Sequence, residues 1–161
     1  AAYAVQPAAM QHRLARGEQR VGAKMGSTSR AKMIQMNIDD VIWGRLSNSM
    51  AVADGGTTNA GRYIRPRVEP EVAFVLKRDL VGPVSAVDGR IVQVGSTSAI
   101  LGNPIRSLVA AARLCAEVGE PLREGWIVLA GGATAAEWIV AGQYVSLEME
   151  RLGRVGFTLA D

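Results

Sequence analysis

Residues 67–76 constrain the fold of this chain more than any other stretch, because apolar side chains recur in them at every second position. This period predicts a β-strand, in which successive side chains point to opposite faces. Both faces are apolar in the second half of the segment, which predicts a strand inside the protein rather than at the edge of a sheet. Glu69 and Glu71 fall on the same face of the predicted strand.

Two carboxylates on one face of a buried strand repel each other. At a separation of about 6 Å and an effective dielectric constant of about 20, the repulsion between Glu69 and Glu71 is roughly 3 kcal/mol. A proton on one carboxylate or a cation between the two would remove that cost. Oxygen ligands suit Mg2+, which proteins hold with one or two carboxylates together with waters or substrate oxygens. An exposed acidic strand face is the alternative, and the spacing alone leaves both open.

Length and composition exclude several classes of protein. The 161 residues suffice for one domain with a sizeable core, and 48% apolar with 20% charged residues is ordinary for a globular protein. The net charge of +3 is spread along the chain and only 5% of the residues are aromatic, so no nucleic-acid partner is predicted. The sequence has no apolar run of transmembrane length, so no membrane partner is predicted either.

The single cysteine, Cys115, excludes an internal disulfide framework and a multi-cysteine zinc site. It lies on the apolar face of a predicted helix, where we expect a small buried hydrophobic residue rather than a nucleophile. Together with the absence of a signal-peptide pattern, this predicts a reducing, cytoplasmic setting.

The remaining segments predict an α+β fold, because strands and helices do not alternate in βαβ units. Helices are predicted over residues 7–16, 30–36 and 104–118, and Asn103 and Gly119 suit the two ends of the third. Residues 54–59 are predicted to form a turn or loop. Further strands are predicted at residues 21–25, 91–94, 126–129, 143–149 and 155–159.

Several motifs in this order resemble the hydratase/decarboxylase family within the fumarylacetoacetase superfamily. They lie at residues 21–26, 28–33, 43–46, 66–74 and 101–104. The resemblance implies one catalytic domain over residues 1–161, with a mixed β-sheet core and flanking helices like the C-terminal domain of fumarylacetoacetase. Residues 41–44 and 131–136 resemble the 4-oxalocrotonate decarboxylases of the family, whereas the sister hydratases typically carry Pro-Asp-Phe-Gly at the first of these positions.

The resemblance implies an activity. It is the metal-dependent decarboxylation of 4-oxalocrotonate (2-oxo-3-hexenedioate) to 2-hydroxypenta-2,4-dienoate in the meta-cleavage pathway of aromatic compounds. Glu69 and Glu71 would hold Mg2+, with Mn2+ as the alternative ion. The implied partners are a small 2-oxo dicarboxylic acid as substrate, further copies of the chain in a homo-oligomer, and the hydratase of the pathway.

The resemblance also implies roles for other side chains. Lys24 would be the catalytic residue, binding a substrate carboxylate or handling a proton near the enolate, although its pattern alone suggests a solvated strand end. The implied substrate-binding residues are Ser27, Thr28, Ser29, Ile42 and Arg67. For the three hydroxyl residues the alternative is an ordinary loop without a binding role. For Arg67 the alternative is an ion pair with a glutamate.

The chain departs from the family near residues 88 and 89, where family members carry a long additional block with a third metal carboxylate. Either the sequence joins two pieces around an omitted block, or the protein has a true deletion. The first is favoured, because a deletion in the middle of a packed sheet should leave no stable fold. A 2-hydroxypenta-2,4-dienoate hydratase is the alternative function, and a non-catalytic binding or interaction subunit is the alternative of another class.

Overall fold

A computed structural model of the chain describes residues 2–77, 99–134, 136–149 and 153–161. They divide into two compact units. The first unit comprises Ala1–Met50 and Glu71–Ala133, and the second comprises Ala51–Pro70 and Thr134–Asp161. No helix within the described ranges is long and apolar enough to cross a membrane.

Among the described residues, the first unit contains three α-helices and four strands. The α-helices are α1 (Ala2–Ala15), α2 (Arg30–Met36) and α3 (Pro104–Glu117), and short 3₁₀ helices cover Asn48–Met50 and Ala60–Arg62. The described part of the second unit contains five strands, numbered here in chain order with those of the first. The strands of the described residues are β1 (Arg20–Gly26), β2 (Ile42–Ser47), β3 (Gly56–Asn59), β4 (Arg67–Val68), β5 (Glu71–Val75), β6 (Ile127–Gly132), β7 (Glu137–Trp138), β8 (Tyr144–Met149) and β9 (Gly153–Ala160).

The first unit is built on a mixed sheet with the strand order β2-β1-β6-β5. Strand β1 runs antiparallel to β2 and parallel to β6, and β5 runs antiparallel to β6. One face of this sheet buries Ala23, Met25, Trp43 and Val128 in the main hydrophobic core. The predicted mixed sheet with flanking helices is therefore present in the first unit.

Helix α3 covers the core face of the sheet, and the sequence predicted it well. The Asn103 side chain accepts a hydrogen bond from the Ile105 N–H at 2.9 Å, and Gly119 adopts a φ of +71° just beyond the helix end. Cys115 is fully buried on the inner side of α3, as predicted. Burial raises the pKa of its thiol, which makes it a poor nucleophile.

Helix α1 begins earlier than predicted, at Ala2, so that Pro7 lies inside it rather than at its start. Proline removes one intrahelical hydrogen bond, but here that loss falls near the beginning of the helix. The helix lies beside the outer strand β2, where the Gln6 Nε2 donates to the Trp43 carbonyl oxygen at 3.0 Å. Helix α1 therefore satisfies backbone groups at the edge of the sheet.

The second unit contains a three-stranded sheet with the order β3-β9-β8, and β4 pairs with β7. Strand β3 occupies most of the segment that was predicted to be a turn or loop, so that prediction is wrong for Gly56–Asn59. Its pairing is parallel to β9, with Thr58 opposite Leu159. A partner about a hundred residues away stabilises this strand, and local sequence carries no signal of it.

The single strand predicted over residues 67–76 is interrupted. Strand β4 ends at Val68 and β5 begins at Glu71, and the two strands belong to different sheets. Pro70 lacks the N–H that a continuous ladder requires, which explains the break. The prediction of an inner strand stays a prediction, because β5 pairs with β6 on one side and residues 78–98, which follow β5, lie outside the described ranges.

The break removes the reason for placing Glu69 and Glu71 on one face, because regular alternation does not continue across it. Two other predictions, the strand at residues 91–94 and the junction near residues 88 and 89, lie outside the described residues.

Candidate active site

The face of the mixed sheet opposite the core carries the polar residues of the first unit's candidate site. Lys24 lies opposite Gly44 of β2 and Leu129 of β6 in the strand register. Directly opposed residues, and residues two positions apart, share a face of a sheet. Ile42 therefore shares the face of Lys24. This surface, termed the Lys24 face, comprises Lys24, Gly26, Ile42, Gly44, Ala73 and Leu129.

Glu71 reaches Lys24 at this face. The Lys24 Nζ donates to Glu71 Oε1, and the Gly131 backbone N–H donates to Glu71 Oε2 at 3.1 Å. The Glu71 side chain is only 7% exposed, whereas that of Lys24 is 44% exposed. The carboxylate is thus held by two donors, and Lys24 is an ion-paired residue rather than a solvated strand end. An ammonium group has three N–H donors, so Lys24 keeps donors for a ligand.

The three hydroxyl residues follow the end of β1. Ser27 has a φ of +54°, and Ser29 occupies the N-cap position of α2 without a side-chain capping bond. Thr28 is buried, and its carbonyl oxygen accepts a hydrogen bond from the Leu101 N–H at 2.9 Å. Thr28 also packs against Gly131, where a Cβ atom would overlap its side chain. The structure therefore brings Thr28 next to the residue that binds Glu71.

Ile42 is 47% exposed at the first position of β2, opposite Gly26. Two glycines adjoin Lys24 on this face, namely Gly26 on its own strand and Gly44 on β2, whereas Leu129 adjoins it on β6. Side-chain bulk is therefore small on the β2 side of the ammonium group. Ile42 supplies an apolar side chain on the same face, as the predicted pocket position requires.

Arg67 belongs to the second unit, where it lies on β4. Its guanidinium carbon is 3.8 Å from the centroid of the Trp138 ring. It takes part in none of the ion pairs found within the described ranges, so the alternative of a pair with a glutamate is not seen there. Arg67 lines a pocket of about 310 Å3 whose other lining residues are Thr58, Tyr63, Arg65, Pro66, Ile139, Phe157 and Leu159.

Glu69 also belongs to the second unit and directly precedes Pro70, whereas Glu71 begins β5 in the first unit. Among the described residues, no group of three or more His, Cys, Asp or Glu side chains is placed to hold a metal ion. Mg2+ sites commonly use only one or two carboxylates, with the other positions filled by waters and substrate oxygens. The shielded, anionic oxygens of Glu71 fit one position of such a site.

Sequence reasoning missed three residues of these sites. Gly131 binds Glu71 through its backbone, and its signals were membership of a glycine pair and of the segment 131–136, which resembles the decarboxylases. Tyr63 and Arg65 line the pocket with Arg67, and their spacing of two residues could have indicated a shared side of an extended segment. The Tyr63 and Thr58 hydroxyls are hydrogen-bonded at 2.8 Å, which places a polar pair in that pocket.

The core side of the sheet carries a separate charged cluster around Glu120. Arg45 donates to both Glu120 carboxylate oxygens, at 2.8 and 2.7 Å, and Arg20 also forms an ion pair with Glu120. The hydrogen bonds from Arg45 lower the pKa of Glu120, although partial burial opposes the shift. These contacts connect β1 and β2 to the segment after α3. They stabilise the two strands that carry part of the Lys24 face on their other side.

Comparison with known proteins assigns the chain to a family. No family model matches it. A 4-oxalocrotonate decarboxylase of a Pseudomonas species is 36% identical over 208 aligned positions, which cover 91% of this chain and 81% of that relative. The chain belongs to the 4-oxalocrotonate decarboxylase family. The resemblance deduced from the motifs is thereby confirmed.

A solved structure supports the same family. The 4-oxalocrotonate decarboxylase from Pseudomonas putida G7, complexed with magnesium and adipate, superposes with a TM-score of 0.88 at 27% identity. The match covers 98% of this chain and 84% of that one, which confirms the α+β fold. The 2-keto-4-pentenoate hydratase 2 of Dechloromonas aromatica (strain RCB) is 48% identical over 79 residues, or 49% of this chain and 30% of its own length.

The decarboxylase of the Pseudomonas species has residues that the present chain lacks. Because 91% of the present chain is about 147 residues, about 60 of the 208 aligned positions have no counterpart in it.

Proposed function

We propose that this chain is a carboxy-lyase that decarboxylates 4-oxalocrotonate to 2-hydroxypenta-2,4-dienoate. The observation that carries the proposal is the shielded Glu71 carboxylate, held by Lys24 and the Gly131 N–H. Membership of the 4-oxalocrotonate decarboxylase family supports the same reaction.

Glu71 would be a ligand of Mg2+, with Mn2+ as the alternative ion, and a ligand role for Glu69 stays what the resemblance implies. A bound ion would act as a Lewis acid, stabilising the negative charge that develops on the keto oxygen of the substrate. The relative complexed with magnesium and adipate supports both the ion and a dicarboxylic acid as the ligand class.

In the reaction, the bond between the distal carboxylate and its carbon breaks, and CO2 leaves. The electron pair moves through the conjugated double bond to the keto oxygen, which takes up a proton. Lys24 is placed to bind an anionic oxygen of the substrate or to hold the proton for that oxygen. The hydroxyls of Ser27, Thr28 and Ser29 would supply hydrogen bonds at the end of β1.

Ile42 would form an apolar wall near the departing carboxylate. An apolar environment disfavours the concentrated charge of a carboxylate, and CO2 release disperses that charge. An apolar side chain also cannot activate water for addition to a double bond. Ile42 on the Lys24 face therefore favours decarboxylation over hydration.

Arg67 would contact a carboxylate of the substrate. Stacking on Trp138 fixes the plane of the guanidinium and leaves its N–H edge able to bind a carboxylate in a bidentate manner. Arg65 adds a second positive charge to the same pocket. We expect Arg67→Gln to raise KM about tenfold with little change in kcat, because a binding contact is lost. Arg154→Gln, on β9 of the same unit, is the control for loss of one positive charge.

The function is tested by supplying 4-oxalocrotonate and 2-hydroxypenta-2,4-dienoate separately with Mg2+. Release of CO2 and formation of 4-hydroxy-2-oxopentanoate are followed independently. We expect CO2 release with little hydration. Faster hydration would assign the chain to the hydratases, an alternative that the 48% identity over 79 residues favours. If neither CO2 release nor hydration is detected, a non-catalytic binding subunit is the function that remains.

Three further properties belong to the proposal. The chain would act in the cytoplasm, as a homo-oligomer, and in a complex with the hydratase of its pathway. The additional residues of the Pseudomonas relative would be inserted between residues 88 and 89 of this chain or close to them. Light scattering of the purified protein, alone and mixed with the hydratase, tests the assemblies. An intact mass above that of the printed sequence would show that the natural protein contains the additional block.

A further inference from the structure

We propose that Gly131 is a positioning residue that orients the Glu71 carboxylate for a divalent cation, an assignment that rests on the metal role proposed above. Gly131 lies near the end of β6, and its N–H donates to Glu71 Oε2 at 3.1 Å. Lys24 binds the other oxygen, Oε1. Two donors on two oxygens fix both the position and the plane of the carboxylate.

Each carboxylate oxygen has two lone pairs, so both retain one for a cation after these hydrogen bonds. An oriented ligand loses less conformational freedom when it binds a metal ion. Partners of this kind, which do not touch the ion themselves, typically change metal affinity by about 10- to 100-fold when they are altered. The Gly131 N–H meets this description.

The backbone at this position requires glycine for two reasons. Gly131 has a φ of +109°, a conformation that residues with a Cβ rarely adopt. A Cβ atom here would also overlap Thr28 Oγ1 and would lie 2.8 Å from its Cγ2 and 3.1 Å from its Cβ. Thr28 has limited freedom to retreat, because its carbonyl oxygen is bonded to the Leu101 N–H.

A side chain at position 131 must therefore displace the end of β6 or rotate its N–H away from Glu71. Gly131→Ala keeps Glu71, Lys24 and the net charge of the site. A loss of metal affinity in this variant would report on the orientation of the carboxylate rather than on a missing ligand.

The test is Mn2+ binding without substrate, measured by electron paramagnetic resonance of the free ion, alongside thermal unfolding. The matched control is Gly119→Ala, which also changes a glycine with positive φ, here +71°, but where a Cβ would meet nothing within 4 Å. We expect wild type and Gly119→Ala to bind Mn2+ equally, and Gly131→Ala to bind at least about tenfold more weakly. Equal affinity of the two alanine variants would overturn the assignment.

A double-variant cycle separates positioning from a general folding defect. Thr28→Ala removes the Oγ1 and Cγ2 atoms that a Cβ at position 131 would strike. We expect Gly131→Ala to lower the Mn2+ affinity less in the Thr28→Ala background than alone. If the single variant Gly131→Ala does not fold, the Mn2+ affinity of the double variant is compared with that of Thr28→Ala instead. Mn2+ affinity equal to that of wild type in a folded variant carrying Gly131→Ala, in either background, would contradict the proposal. Failure of the wild type to bind Mn2+ would instead remove the metal role and this assignment together.

Discussion

The two faces of the mixed sheet differ sharply although the same strands build both. On the core face, Ala23, Met25 and Val128 are fully buried. Lys24 and Ile42 lie on the Lys24 face, each next in sequence to a residue of the core face. Both side chains are close to half exposed. The period of two along a strand thus separates residues that hold the fold together from residues that are available to a ligand. Neighbouring substitutions on β1 should therefore affect different properties.

Loss of Lys24 should give the largest effect on the ligand-binding side of this comparison. We expect Lys24→Met to lower kcat/KM about a thousandfold, or about 4 kcal/mol, because it removes the ammonium that would face the developing negative charge. The free energy of unfolding should also fall, by about 1–3 kcal/mol, because the Glu71 carboxylate, which is only 7% exposed, loses one of its two donors. Lys77→Met is the control, because Lys77 is an exposed lysine just after β5. Retention of activity in Lys24→Met would break the comparison.

The adjacent position should mainly affect stability. Met25 is fully buried against the core, so Met25→Ala should lower the free energy of unfolding by about 3 kcal/mol through lost burial and a cavity. Ile42→Ala, on the Lys24 face, should lower it by less than about 1 kcal/mol. Urea unfolding of the three proteins measures both values. Equal destabilisation by the two substitutions would show that the faces are not distinct in energy.

Acid should produce a smaller effect, confined to the core side. The pKa of Glu120 is lowered in the folded protein, mainly by hydrogen bonds from Arg45, and that of Glu18 is lowered to about 2, mainly by the Ser47 hydroxyl. A carboxyl with a lowered folded pKa stabilises the protein fully above its ordinary value of 4.5, and the stabilisation is lost as the pH falls through the folded value.

The free energy of unfolding should therefore decline as the pH falls from 4.5 towards about 2. Glu120→Gln should make this decline shallower, because one of the carboxyls with a lowered pKa is gone. Urea unfolding at a series of pH values checks the slope. An identical slope in the variant would show that Glu120 does not contribute to acid sensitivity.

Local signals predicted those parts of the fold that depend on neighbours in sequence. Asn103 and Gly119 marked the ends of α3, and the apolar pattern marked β1 and β6. The interruption at Pro70 was also visible in the sequence, but the strong alternation on both sides concealed it. Strand β3 could not be predicted in this way, because its partner β9 is distant in sequence.

The candidate site was predictable only in part. The resemblance named Lys24 and Glu71, but their ion pair depends on β1 and β5 both flanking β6, which no local pattern encodes. Gly131 could not be identified because its contribution is a backbone N–H, a group that nearly every residue carries. The Lys24–Glu71 ion pair and the Gly131 hydrogen bond therefore became visible only when the structure showed which strands are neighbours.

On the proposed function, decarboxylation at the Lys24 face depends on a metal ion held by Glu71. We would test this dependence by measuring CO2 release from 4-oxalocrotonate by wild type and Glu71→Gln, each assayed with Mg2+ and with a chelator, with circular dichroism as the check on folding. We expect wild type to lose activity in chelator, and folded Glu71→Gln to lose most of its activity even with Mg2+, a cost of several kcal/mol in the barrier. Full activity of Glu71→Gln in the presence of chelator would show that neither Glu71 nor the metal ion is needed.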